Sequence, residues 1–157
     1  MITGRSGQID NSIQIIDASS AELKPSPITS GWILEGTPTA RIKVLSTSAD
    51  GTASTVLWDC TAGKFNWFYN IDETVYVLQG SVTLKDNSGT RLVGAGESVF
   101  FPAGSSAEWT VDSYIKKVAF LRIPLPRPLA SVRRILGIAK RFVRGGAKPE
   151  VGGMFGG

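Results

Sequence analysis

Residues 59–80, DCTAGKFNWFYNIDETVYVLQG, bring together five side chains that could do chemistry: Cys60, Trp67, Tyr69, Asp72 and Glu73. A desolvated Glu73 carboxyl could move protons near neutrality, and Tyr69 could donate a proton or orient a ligand oxygen. Thiol, phenol and carboxylates could also approach a metal. The chain has no histidine, however, and imidazole is the usual nitrogen ligand for Zn, Fe, Ni and Cu. Glu73 with Asp72, Cys60 or Tyr69 falls short of the protein ligands a tight site needs, so no metal or other cofactor is expected. The same absence excludes a Ser-His-Asp triad. It also leaves Cys60 without its usual activating base, so an inert, buried thiol is expected.

The elements that must position these residues are short strands. From Ala40 onward, ARIKVLSTS, STVLWDCT, FNWFYN, TVYVLQGSVTLK, RLV, SVFFPAG, AEWTV and IKKVAFLRI alternate with turn signals such as ADGT, AGK, DNSGT and GAGE. That spacing predicts an all-β antiparallel sandwich or small barrel. If Glu73 points inward, alternation sends Val75 and Val77 with it, while Asp72, Thr74 and Tyr76 face the other way. Asp72 is then expected to cap a turn. GAGES lies between strands with no helix after it, so no phosphate-cradling loop is expected.

PLPRP, residues 124–128, ends the sheet, because proline cannot continue a hydrogen-bonded ladder. Beyond it Leu129, Val132, Ile135, Leu136, Ala139, Phe142 and Val143 fall at helical spacing, with arginines and lysines on much of the remaining surface. Gly145 and Gly146 stop the helix. Residues 125–157 hold seven Lys/Arg against one acid; residues 1–124 hold ten against twelve, so the basic character belongs to the tail. The expected organisation is an N-terminal extension (1–31), a β domain (32–124), and a proline hinge with basic helix and Gly-rich end (125–157). The opening MITGRSGQIDNS lacks the apolar core of a secretory signal. The single cysteine suits a reducing compartment, so a cytoplasmic location is expected.

LWDCTAGKF, DETVYVLQGSVTL, GAGESVFFPAGSSAEWTV and KKVAFL, taken in this order, resemble the cupin superfamily over about residues 32–122. The branch concerned is typified by ureidoglycine-aminohydrolase-like and ethanolamine-utilisation-type cupin domains. The resemblance implies a single jelly-roll barrel of RmlC-like type, open at one end, with its site inside. In metal-binding cupins the first motif supplies two histidines and a glutamate, and the second a further histidine. Glu73 matches the glutamate. The paired histidines fall at Trp67 and Tyr69, or at Asn66 and Phe68, and the last falls on Ala107. The chain departs from the metal-binding pattern at all three.

Each candidate has a structural counterpart to its functional reading. Glu73 is either a proton-transfer group with Tyr69 as its partner, or it hydrogen-bonds Tyr69 or Lys117 and specifies the interior. Trp58, Trp67 and Trp109 either stack a planar ligand or fill the barrel. Lys117 either pairs with an acid or guards an edge strand. The leading expectation is a module binding a small polar metabolite through Glu73, Tyr69, Trp58, Cys60, Trp67, Trp109 and Lys117, without metal, in a regulatory or sensory role. The alternatives are a metal-independent isomerase or hydrolase using Glu73, and a scaffold or peripheral membrane protein. By resemblance a homodimer is expected. Residues 129–144 could meet an anionic membrane or an acidic protein, or pack on the barrel or a second subunit. Nucleic-acid binding is not expected, since those basic residues lack an aromatic platform.

Overall fold

A computed structural model describes residues 12–125. The chain divides into two units, and the described strands all belong to the first, Met1–Pro124. The expected basic helix and Gly-rich end lie outside the described residues, as do residues 1–11. Eight strands succeed one another: β1 Lys24–Pro25, β2 Ile33–Glu35, β3 Ala40–Thr47, β4 Ala53–Phe68, β5 Asp72–Asp86, β6 Gly89–Gly94, β7 Ser98–Phe101 and β8 Ser106–Arg122. One turn of 3-10 helix, Ser30–Trp32, precedes β2. All pairings are antiparallel, in the order β1-β3-β4-β8-β5-β6, with β2 beside β4 and β7 beside β5. This is an all-β, jelly-roll-like arrangement.

Two strands are much longer than the sequence predicts. STVLWDCT and FNWFYN are one strand, β4, and AEWTV and IKKVAFLRI are one strand, β8. AGK is not a reversal: the register with β8 merely shifts between Thr61 and Gly63. The glycine there serves close approach, because a Cβ on Gly63 would lie 2.7 Å from the Pro38 Cβ. Gly80 performs a second task. It sits at φ +75°, where β5 shifts register against β8, and a Cβ there would come within 1.9 Å of the Tyr114 carbonyl oxygen. Only glycine satisfies both demands. Such irregularities let long strands bend around a core instead of continuing flat.

The core follows the two-residue period. Trp58 and Cys60 on β4, Val75, Val77, Val82 and Leu84 on β5, and Trp109, Val111 and Ile115 on β8 belong to one buried cluster. On the other face of β5, Tyr76 and Leu78 stay more than 40% exposed. Glu73 lies on the buried side with Val75 and Val77, as alternation predicts.

Candidate functional site

Glu73 is the second residue of β5, opposite Leu121 of β8 on one side and Phe101 of β7 on the other. Lys117 lies on β8, in register with Trp58 of β4 and Val77 of β5. Both charged residues are buried, at 7% and 4% exposure. The Lys117 ammonium donates to Glu73 Oε1 at 2.7 Å. It also stands 4.9 Å from the Trp58 ring centroid and 4.7 Å from that of Trp109. An indole face attracts a cation, by about 2 kcal/mol or more when water is excluded. The ammonium is thus held by one carboxylate and two aromatic faces. Of the two structural readings offered for Glu73, pairing with Lys117 is the one observed.

The remaining candidates pack around this pair. Trp58 meets Trp109 edge-on at 6.0 Å and Trp67 at the same distance, and Phe65 stacks on Trp109. Trp109 Nε1 donates to the Tyr69 hydroxyl at 3.0 Å. Tyr69 stacks on Phe101 at 4.3 Å and 8°. Burial, and then the nearby charge of Glu73, hold the Tyr69 phenol well above its ordinary range. Cys60 is fully buried and donates to the Thr61 carbonyl at 3.3 Å. Burial first, and then Asp59, push its thiol up to about 12, with Lys117 opposing. Between Trp58, Phe65, Trp67, Trp109 and Lys117 no space for a water molecule remains. The tryptophans fill this part of the barrel.

The turn at Pro102-Ala103-Gly104 is tied to the same site. Gly104 N–H donates to the Tyr69 carbonyl at 2.7 Å, and Tyr69 N–H donates to that of Ser105 at 3.0 Å. Asp72 accepts from Ala103 N–H at 3.0 Å and from Arg122 at 3.4 Å. Asp72 therefore caps a turn, though one supplied by residues thirty-one positions away in sequence.

A transition metal does not fit the side chains present. The positions that resemblance assigns to histidines carry Trp67 or Asn66, Tyr69 or Phe68, and Ala107. Glu73 Oε1 is held by Lys117, and among the described residues no three of His, Cys, Asp and Glu converge.

Two features escaped the sequence reading. On the outer side of β4, Asp59 is buried at 1% and binds Arg41 through two bonds (3.0 and 2.5 Å) and the Tyr114 hydroxyl at 2.9 Å. The odd-even alternation against Trp58 and Cys60 signals its direction, but its partners depend on register. The second feature is a cavity of about 570 Å³ lined by β6, β7 and the start of β8. Core-facing Leu84, Val93, Val99, Phe101 and Ala107 contribute apolar lining, while Asp86, Arg91, Glu97 and three serines supply polar groups. Arg91 is held at the rim by Asp86 at 3.2 Å. A more open groove of about 650 Å³ crosses the outer face over Thr74, Phe100 and Phe120.

Residues 47–119 match the family described as EutQ-like cupin domain. Over those residues the chain carries an EutQ-like cupin domain. Acetate kinase EutQ of Salmonella typhimurium is 32% identical over 91 residues, covering 56% of this chain and 38% of that protein. The chain thus spans well under half the length of this curated relative. Among solved structures, the Salmonella typhimurium LT2 ethanolamine utilisation protein Q superposes with a TM-score of 0.59 at 22% identity, over 70% of this chain and 85% of that one. That likeness is one of fold. A protein of unknown function from Pseudomonas syringae pv. tomato gives a TM-score of 0.60 at 26% identity, over 65% and 45% of the two chains. The family match falls inside residues 32–122, where the resemblance lies.

Proposed function

We propose that this EutQ-like cupin domain binds a small metabolite in a regulatory or sensory role, without metal, and that the ligand enters the cavity lined by β6, β7 and the start of β8. The observation that carries this reading is the cavity itself. It has about 570 Å³ of space, an apolar lining drawn from the barrel core, and Arg91, Ser98 and Ser106 among its polar groups. Small-molecule sites have this character: a mainly apolar hollow of some hundreds of Å³ with a few orienting polar groups. The fitting ligand has a compact apolar body and a hydroxyl or anionic group that takes Arg91 over from Asp86.

Catalysis by Glu73 with Tyr69 finds less support. A substrate would have to part a 2.7 Å ion pair packed where no water fits. The kinase activity in the relative's name belongs to a protein of which this chain spans 38%. We do not extend it to this domain, because the GAGE turn leads from β6 into β7 and not into a helix N-terminus.

The test uses anilinonaphthalene sulfonate, whose apolar rings and sulfonate match the cavity. Wild-type protein should show saturable fluorescence enhancement with one dye per chain. Val99→Trp, which fills the cavity, should weaken binding by about tenfold or more, equivalent to about 1.4 kcal/mol. Arg91→Glu should weaken it as well, and a thermal melt of each variant verifies that the barrel is folded. Unchanged dye affinity in Val99→Trp would remove the cavity from consideration.

A further inference from the structure

The Glu73 carboxylate is the one group of the metal-binding cupin pattern that this chain keeps, and it is not vacant. The Lys117 ammonium lies against it at 2.7 Å, with Trp58 and Trp109 at 4.9 and 4.7 Å from the charge. One carboxylate with two indole faces makes a poor donor set for a transition metal. It suits an organic ammonium, whose hydrogens seek the oxygen and whose diffuse charge seeks the rings. We infer that Glu73, Trp58 and Trp109 form an ammonium-binding cage, which the chain fills with its own Lys117 at the position that resemblance assigns to the glutamate of metal-binding cupins.

This assignment does not depend on the cavity beside β6 and β7, so failure of one leaves the other standing. The tether explains how the cage stays filled. Lys117 is anchored on β8 directly across from Trp58, so its ammonium competes at the high effective concentration of an intramolecular ligand. Free amines and metal ions meet an occupied site with no space left beside Lys117.

Removing the tethered cation should turn the cage into a receptor. Lys117→Ala deletes three methylenes and the ammonium, which together correspond to propylammonium. The variant should melt roughly 10 °C below wild type, because a buried carboxylate has lost its partner. Millimolar propylammonium, at matched ionic strength, should raise its melting temperature by several degrees through binding to the folded form. It should leave wild type unmoved, and it should have no effect on Lys117→Ala combined with Glu73→Gln. A further variant, Lys117→Met with Glu73→Gln, removes both charges at nearly constant volume. It should melt well above Lys117→Ala, and this comparison serves even if the single variant does not fold. Equilibrium dialysis of wild type against zinc and manganese should show no bound ion. Three results would overturn the assignment: stoichiometric metal on wild type, propylammonium failing to stabilise a folded Lys117→Ala or acting equally on all variants, or Lys117→Met with Glu73→Gln no more stable than Lys117→Ala.

Discussion

Glu73 and Asp59 are both buried carboxylates paired with a cation, yet their surroundings are opposite. Glu73 faces the barrel interior, and its partner Lys117 is itself only 4% exposed. Asp59 lies on the outer side of β4, where the Arg41 side chain is 49% exposed and Tyr114 adds a second donor. Burial of the acid is therefore not the difference; access of water to the cation is. Where the cation is wet, solvent can take over for a missing partner. In the dry pair no water can take over for either partner, and removing one leaves the other without a counter-charge.

The largest expected effect comes from breaking the dry pair. Glu73→Ala strands Lys117 between two indoles and should cost about 3–5 kcal/mol in urea unfolding. A cost near zero would show that water reaches the barrel. Asp59→Ala comes next, at about 1–3 kcal/mol, because Tyr114 loses its acceptor while Arg41 rotates into solvent. Arg41→Gln should be milder than either, since the Asp59 carboxylate keeps Tyr114 and gains water. If Arg41→Gln proved as damaging as Glu73→Ala, the contrast between the two pairs would be gone.

The smallest effect is one of pH. Burial keeps the Cys60 thiol protonated up to about 12 in the folded chain, against an ordinary value of 9.0. Between those values the unfolded chain binds fewer protons, so stability is intact below about pH 9 and falls as pH rises. The Tyr69 and Tyr114 phenols, both held up mainly by burial, add to the fall above about pH 10. Cys60→Ala should remove the portion that begins near pH 9. Identical pH profiles for wild type and Cys60→Ala would mean the thiol is not in a dry interior.

Alternation alone placed Glu73, Val75 and Val77 on one face and Asp72 and Tyr76 on the other, because a strand has only two sides. The ordered cupin anchors supplied the fold. What the sequence could not supply was register. Lys117 meets Glu73 only because β8 runs beside β5, forty-four residues apart, and the sequence left edge protection equally open. Tyr114 on Asp59 and the cavity beside β6 and β7 escaped notice for the same reason. Gly63 misled in another way. Within AGK it reads as a reversal, yet its bareness serves Pro38 across the strand, and local sequence cannot tell these two uses apart.

Phe101 gives the cavity and the caged charge a common partition. One face of its ring rests on Tyr69, whose hydroxyl takes the indole proton of Trp109, and the same side chain helps to line the cavity. A visitor pressing on that partition need never touch the tryptophan to alter its glow. An occupied cavity should therefore be readable as a change in the emission of Trp109.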